Sequence, residues 1–364
     1  MRILHIYKDY FPVLGGIENY VKVLAEAQAA AGYDVTVSVC APGLRSDRSE
    51  RNGVRLLRSG RLTTLASMPI SLRQPLAIAF EEAEIIHVHS PYPLGEASAW
   101  LLRRRIPLVI THHSDVVRQR RLLAFYAPVL RRVLRHAAAI IATSPPYIES
   151  SPWLRPVRDK CRVVPLGVDA RRFHPPERPF EGPPTLLFVG RLRYYKGLGT
   201  LLQVLSRLPD VRLDVVGTGP MEKRWRDLAV ELGVAPRVRF LGEVDDAHLP
   251  QHYHRAHLFV LPSNARSEAF GGVLLEAMAS GLPCVSTELG TGTSWIVQDG
   301  TTGRVVPPRD PRAMAEAIAD LLADRARLRA MGRAARARVE ARFTLERMIA
   351  DVEAVYRDVL AGRA

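Results

Sequence analysis

An alternation constrains this chain more than any other feature. Short apolar runs of four or five residues take turns with longer stretches of helical periodicity, and the series stops once and restarts. Strands are expected at residues 3–7, 35–39, 85–88, 108–111 and 139–143, with helices such as 17–31 and 122–135 between them. Residues 173–184 (Phe-His-Pro-Pro-Glu-Arg-Pro-Phe-Glu-Gly-Pro-Pro) then interrupt the pattern. Proline lacks the N–H that helix interiors and central strands require, so this stretch reads as a linker. The alternation resumes at 186–189, 213–216, 238–241, 258–261 and 284–286, and residues 345–360 form one more apolar-periodic helix. Strands that alternate with helices build βαβ units and parallel sheets covered on both faces. Two such series predict an α/β chain of two Rossmann-like, doubly wound domains, residues 1–175 and 182–344.

Composition narrows the class. With 47% apolar and 24% charged residues over 364 positions, the chain has the mix of a globular protein rather than a disordered one. No apolar run approaches the roughly 20 residues of a bilayer-spanning helix. Lys8 and Asp9 come too early for a secretory leader. Cys40, Cys161 and Cys284 are far apart, without a Cys-x-x-Cys pair, which fits a reducing cytoplasm and no zinc site. The net charge of +14 is uneven: residues 1–175 hold +11 of it, 25 basic against 14 acidic residues. That surplus points to negatively charged partners: nucleic acid, anionic lipid or phosphorylated substrates.

Open parallel sheets bind ligands beyond the carboxyl ends of their strands. The residues that follow the strands are accordingly the chemical ones. In the first series they are Gly15-Gly16, the segment from His89 to Gly95, and His112-His113-Ser114-Asp115. In the second they are Gly190-Arg191 through Lys196-Gly197, Gly217-Thr218-Gly219, and the segment from Pro262 to Gly272. Two domains facing each other across those edges would form one cleft.

Glu268-Ala269-Phe270-Gly271-Gly272-Val273, followed by Glu276, is the strongest of these signals. The glycine pair permits close backbone approach. A helix starting near Gly271 would offer N–H groups and a dipole to an anion such as a diphosphate. Glu268 sits just ahead of it and Glu276 roughly two turns in. Carboxylates accept from paired hydroxyls, so one suits a sugar and the other a ribose. The plainer reading is a charge complementing the dipole and a buried, satisfied glutamate. Arg191 and Lys196 would neutralise a diphosphate leaving group, the work a metal does elsewhere, or are solvated surface cations. No Asp-x-Asp motif stands in a matching place.

Other features weigh less. Gly15-Gly16 and Gly217-Thr218-Gly219 lack the spacing of a dinucleotide fingerprint, which disfavours a nicotinamide enzyme. Glu18 suits an acceptor or a helix N-terminus equally. His248, His252, His254 and His257 read as solvated residues on an exposed helix at 245–255 rather than a zinc site, which needs convergent ligands. Arg103-Arg104-Arg105 and residues 117–135 hold much of the basic surplus. In the latter, six arginines interleave with Leu122, Leu123, Phe125, Tyr126, Val129, Leu130, Val133 and Leu134. That pattern reads as a core-packed helix with a solvated basic face. The sharper reading is peripheral attachment to anionic lipid, worth about 1 kcal/mol per cation.

Glu268-x7-Glu276, with Ala277-Met-Ala-Ser-Gly-Leu-Pro283 after it, resembles the signature of the GT4 family of retaining glycosyltransferases, which have the GT-B fold. The resemblance extends in family order through Gly15-Gly-Ile-Glu18, Thr111-His-His-Ser-Asp115, Pro165-Leu-Gly-Val-Asp169, Val189-Gly-Arg-Leu-Arg-Tyr-Tyr-Lys-Gly197, Phe240-Leu-Gly-Glu-Val-Asp245 and Asp299-Gly-Thr-Thr-Gly-Arg-Val-Val-Pro-Pro308. It covers nearly the whole chain. It implies a first domain that binds the acceptor, joined by a terminal helix at 345–364 that crosses back, and a second that binds a nucleotide sugar. Transfer would retain anomeric configuration by same-face attack, without metal or cofactor, the departing diphosphate helping to take the acceptor proton.

Carried over by residue, the catalytic set is His113, Glu268, Arg191 and Lys196. The donor set is Gly16, Arg191, Lys196, Gly217, Val244, Glu268, Ala269, Phe270, Gly271, Gly272, Val273 and Glu276. The acceptor set is Gly15, Glu18 and His112, and His112 also competes for the role of His113 against the donor sugar.

Thr111-His-His-Ser-Asp-Val116, Leu122-Leu-Ala-Phe-Tyr-Ala-Pro128, Thr143-Ser-Pro-Pro-Tyr147 and Glu288-Leu-Gly-Thr-Gly-Thr-Ser294 resemble bacterial polysaccharide mannosyltransferases that use GDP-mannose. Trp295 and Gln298-Asp299 depart from many of these, so a UDP-sugar donor stays open. The implied acceptor is a saccharide or a polyprenyl-diphosphate-linked saccharide in cell-surface polysaccharide synthesis. The implied location is the cytoplasm, with contact at the inner face of the plasma membrane as the sharper reading of the basic helix. No helix-turn-helix, zinc finger or aromatic platform supports nucleic-acid binding. An epimerase or a sugar phosphorylase of the same fold is the more remote alternative.

Overall fold

A computed structural model describes residues 1–13, 15–65, 68–116 and 120–362, and only the backbone of 120–123. Val117 and the side chains of Leu122 and Leu123 in the basic segment, and the last two residues of the expected 345–364 helix, therefore lie outside the described residues. The chain divides into two compact units, Met1–Pro165 with Met348–Ala364, and Leu166–Arg347.

In the first unit the described strands are β1 (Arg2–Ile6), β2 (Asp34–Cys40), β3 (Asp47–Arg51), β4 (Val54–Ser59), β5 (Thr63–Leu65), β6 (Met68–Ile70), β7 (Ile85–Ser90), β8 (Leu108–His112), β9 (Ala139–Ala142) and β10 (Cys161–Val163). Eight of them form one sheet in the order β10-β9-β8-β7-β1-β2-β4-β3, and β5 and β6 pair separately. All neighbours in that sheet are parallel except β3 on β4. The helices are α1 (Gly16–Ala30), α2 (Arg73–Phe80), α3 (Pro93–Leu102), α4 (Arg120–His136) and α5 (Pro145–Ser150). Helix α1 buries Tyr20, Val21, Leu24, Ala25 and Gln28, one face at helical spacing.

The second unit holds β11 (Thr185–Val189), β12 (Arg212–Val216), β13 (Val238–Gly242), β14 (Leu258–Leu261), β15 (Cys284–Thr287) and β16 (Gly303–Val306). They form one parallel sheet in the order β13-β12-β11-β14-β15-β16. Its helices are α6 (Leu198–Leu205), α7 (Glu222–Glu231), α8 (Leu249–His254), α9 (Gly272–Ala279), α10 (Gly292–Ile296), α11 (Pro311–Ala323) and α12 (Arg325–Arg342). Strand periodicity splits the apolar residues between two faces. Leu186, Phe188, Leu213 and Val215 pack with α6, α7 and α11. Leu187, Val189, Phe259 and Leu261 pack with α9 and α12. Asp310 and Asp324 cap α11 and α12 by accepting two backbone N–H bonds each. Helix α13 (Leu345–Leu360) follows, and from Met348 onward it belongs to the first unit.

Two expectations change, and one strand was not anticipated. Val168 and Phe173 are buried in the apolar core of the second unit, so residues 166–175 belong there rather than to the first domain. Proline limits backbone hydrogen bonding in 173–184 but leaves side chains free to pack. The helix expected at 245–255 is only α8, and His257 is buried rather than solvated. Strand β3 (Asp-Arg-Ser-Glu-Arg) is exposed throughout and carried no apolar signal. A charged edge strand blunts further pairing.

Candidate active site

In the second unit the expected residues gather beyond the carboxyl ends of β11, β12 and β14. After β11 the chain makes a short turn, Tyr194–Lys196, closed by Gly197 with φ of 71°. A Cβ on Gly197 would lie 1.9 Å from the Pro262 carbonyl oxygen, so only glycine lets the two loops touch. The turn aims Lys196 inward. Its Nζ lies 2.7 Å from Glu268 Oε2, which also accepts from Ser263 Oγ at 3.1 Å. Burial lowers the Lys196 pKa, but the adjacent Glu268 carboxylate outweighs it and holds the ammonium above its ordinary range.

Gly271, in the left-handed conformation, caps α9. Glu276, on that helix, accepts from the Tyr253 hydroxyl at 2.7 Å. Withdrawal from water pushes its carboxyl up to about 7, against the pull of Tyr253 and Arg172. Among the described residues, Oε1 of Glu268 and Oε1 of Glu276 take no hydrogen bond. Gly217 approaches Gly190 so closely that a Cβ would lie 2.3 Å from its carbonyl oxygen. Ala269 and Phe270 are buried, and the Phe270 ring packs in the core against Phe343, leaving only its backbone for a ligand. Val244 and Val273 are partly buried against the same core. Arg191 is exposed, with no ion pair among the described residues. Trp295 packs on Phe343 with ring centroids 5.4 Å apart.

In the first unit, Gly16 opens α1, and the Glu18 carboxylate folds back so that a Cβ on Gly15 would overlap its Oε2 at 2.1 Å. Lys8 Nζ is 3.6 Å from the other Glu18 oxygen. Strand alternation sends His112 and His113 to opposite faces of the sheet. Both ring nitrogens of His112 are engaged, Nδ1 with Ser90 Oγ at 3.3 Å and Nε2 with Asp115 Oδ1 at 3.1 Å. His113 stacks edge-on with Tyr20, and its Nε2 meets His89 Nδ1 at 3.2 Å. Burial, then the neighbouring His112, depresses its pKa to about 3, so the ring is neutral. Among the described residues its Nδ1 has no hydrogen-bond partner.

Sequence reasoning missed the neighbours of His113. His5, His87 and His89 are buried on the same sheet face, with ring nitrogens within 4.8 Å of one another. The signal was available. Histidine recurs at period two, 87 and 89, in a strand whose central position calls for apolar residues on both faces.

The other clusters resolve as structure. His254 bonds the His174 carbonyl at 2.7 Å, and His257 Nδ1 accepts from the Thr185 backbone at 3.2 Å. Arg103 donates to the carbonyls of Ile78, Ala79 and Glu81 at the end of α2. On α4, Leu130, Val133 and Leu134 are buried and Arg131, Arg132 and Arg135 exposed, while Phe125 is 86% exposed. No described helix is long and apolar enough to cross a membrane.

Two family models match in tandem: Glycosyltransferase Family 4 over residues 14–172 and Glycosyl transferases group 1 over 169–338. The O-antigen chain mannosyltransferase C of Escherichia coli is 35% identical over 375 residues, covering 100% of both chains. The chain belongs to the family 4 glycosyltransferases. Among other relatives of this glycosyltransferase, the D-rhamnosyltransferase WbpZ of Pseudomonas aeruginosa is 38% identical over 94% of this chain and 92% of its own. A GDP-mannose-dependent phosphatidylinositol monomannoside mannosyltransferase of Mycobacterium tuberculosis is 30% identical over 96% and 97%. The sucrose-phosphate synthase structure from Thermosynechococcus elongatus superposes with a TM-score of 0.83, 27% identity and 99% coverage of each chain. HepE of Anabaena, solved with UDP and glucose, has a TM-score of 0.79 at 20% identity, over 98% of this chain and 100% of its own. The two Rossmann-like parallel-sheet units of the glycosyltransferase are those of the GT-B fold.

Proposed function

We propose that this glycosyltransferase moves mannose from GDP-mannose onto a saccharide or lipid-linked saccharide in cell-surface polysaccharide synthesis. One observation carries the reading of the site: Glu268 and Glu276 flank the glycine-capped start of α9, each with an uncommitted oxygen among the described residues. A carboxylate with a free oxygen accepts from hydroxyls, Glu268 from the sugar and Glu276 from the ribose. The α9 N-terminus, Lys196 and Arg191 receive the diphosphate, and Gly16 and Gly217 let backbone come close to it. The donor sugar follows the full-length likeness to a mannosyltransferase. The 38% identity to a D-rhamnosyltransferase favours a second reading, the 6-deoxy form of mannose.

Transfer retains configuration and needs no metal. The bond from the anomeric carbon to the diphosphate breaks as the acceptor oxygen bonds on the same face, and a diphosphate oxygen takes the acceptor proton. Lys196 and Arg191 stabilise the charge that develops on the diphosphate. His113, whose Nδ1 is uncommitted among the described residues while both nitrogens of His112 are taken, accepts from a sugar hydroxyl. Gly15 and Glu18 lie on the acceptor side.

Thermal shift with GDP, UDP, GDP-mannose and UDP-glucose tests the donor, because a ligand of the native state raises Tm with concentration over Kd. Stabilisation by GDP species, lost in Glu276→Ala, is expected; stabilisation by UDP species alone discards mannose. An inverted product, or turnover abolished by EDTA, would overturn the mechanism. The exposed arginines of α4, on the same helix as the exposed Phe125, suit anionic lipid, which flotation with phosphatidylglycerol vesicles would test.

A further inference from the structure

A row of hydrogen-bonded side chains runs behind His113. His113 Nε2 meets His89 Nδ1 at 3.2 Å, His89 Nε2 meets His5 Nδ1 at 3.1 Å, and His5 Nε2 meets Gln28 Oε1 at 2.8 Å. Gln28, His5 and His89 are wholly buried, where they reach neither solvent nor substrate. Burial lowers the pKa of each of the three histidines, so all are neutral rings.

A neutral imidazole has one donor and one acceptor nitrogen. In a row of such rings every bond must run the same way, so the group at one end sets the polarity of all. We propose that Gln28, His5 and His89 are positioning residues that hold His113 in a single tautomer, with its proton on Nε2 and a bare lone pair on Nδ1. Gln28 Oε1 accepts from His5 Nε2–H, His5 Nδ1 from His89 Nε2–H, and His89 Nδ1 from His113 Nε2–H. The ring nitrogen left over is the one with no partner among the described residues. It takes the hydroxyl of a polyol as an acceptor and cannot donate.

The orientation of Gln28 has its own support. Its amide nitrogen is buried with no hydrogen-bond partner among the described residues, and Gln28 acts on the Tyr356 hydroxyl as a group that favours its ionised form. That hydroxyl is 2.5 Å from His87 Nδ1, and His87 Nε2 is 2.7 Å from Thr111 Oγ1. With the Tyr356 proton directed at His87, its oxygen faces the Gln28 NH2 as an acceptor. A flipped Gln28 would set an acceptor oxygen against that oxygen and a donor against His5, and would reverse the whole row. The C-terminal helix thereby helps to fix the polarity of a ring three hydrogen bonds from Gln28.

That the hydroxyl belongs to the donor sugar rests on the proposed function; the tautomer does not. The test is long-range ¹H–¹⁵N NMR of the full chain with ¹⁵N-histidine, with His113 assigned by its loss in His113→Asn. The expected wild-type result is His113 protonated at Nε2 alone. A proton on Nδ1, or a mixture of tautomers, would overturn the proposal without any variant needing to fold. Gln28→Leu should release the row, giving mixed tautomers at His113 and a kcat lower by about tenfold or more at unchanged nucleotide KM, as a wrong imidazole tautomer does elsewhere. An unchanged His113 signal in folded Gln28→Leu would also overturn it. GDP-mannose, but not GDP, should move the Nδ1 resonance. The expected tautomer with no response to any nucleotide sugar would remove the sugar contact and leave the row standing.

Discussion

Lys196 Nζ lies 2.7 Å from Glu268 Oε2, with the two side chains only 11% and 10% exposed. Each charge compensates the other where water cannot. The two residues proposed to meet a diphosphate and a sugar are therefore also part of what holds the second unit's loops together.

Removing either partner strands a charge. Lys196→Ala and Glu268→Ala should each cost about 3–5 kcal/mol in denaturant unfolding. Lys196→Met combined with Glu268→Leu should recover most of that loss and none of the transfer activity. Activity in the double variant would show that the pair is scaffold alone.

Glu276 gives a pH signature. Its folded pKa, near 7, stands above the ordinary 4.5 because burial disfavours the carboxylate. The folded state then holds this proton more tightly, so the contribution of Glu276 to stability is fully present below pH 4.5 and is lost as pH rises through 7. The loss is at most about 3 kcal/mol, because each tenfold change in proton affinity is worth roughly 1.4 kcal/mol, and partial exposure lowers it. Glu276→Gln should flatten this slope and be more stable than wild type at pH 8, while binding nucleotide more weakly. Urea unfolding at pH 5 and pH 8 checks the first part and calorimetric titration the second.

Two glycines separate folding from function. Nothing lies within 4 Å of a Cβ added to Gly16, so Gly16→Ala should change stability by less than about 0.5 kcal/mol. If Gly16 meets the donor diphosphate as proposed, its transfer rate should nonetheless drop. At Gly217, φ is +117° and the Cβ meets a backbone oxygen, so Gly217→Ala should cost about 1–3 kcal/mol as well as activity. Full activity in Gly16→Ala would remove that glycine from the donor site.

Tyr356→Phe should destabilise the protein by about 1–3 kcal/mol, because it leaves His87 Nδ1 buried without its hydroxyl. Hydrogen exchange should localise the loss to α13 and β7. Unchanged protection there would mean that apolar packing alone holds the helix.

Much of the molecule was legible in the residues. Parallel strands buried on both faces are mostly apolar, which marks β1, β7, β8, β11, β12 and β14 without reference to anything distant, even where buried His5, His87, His89 and Asp214 interrupt the run. Glycines within strand-to-helix turns marked where one stretch of backbone comes close to another, Gly197 to Pro262 and Gly217 to Gly190. Strand β3 was not legible, because an exposed, charged edge strand owes its pairing to β4 rather than to any pattern of its own. The linker reading failed at Phe173 for a related reason: proline restricts the backbone and does not say where the next side chain goes.

The sequence by itself determined what is local: the order of strands and helices, the two series, the family motifs, and which residues follow each strand. Those depend on periodicity and backbone chemistry within a few neighbours. The tertiary structure alone decided which groups share a charge or a proton. Lys196 found Glu268, Tyr253 found Glu276, and His5, His89 and His113 closed into a row from three separate strand ends. Such pairings join residues tens of positions apart, and only the register of the sheet and the burial it imposes bring them within hydrogen-bond reach and strip away the water that would otherwise screen them.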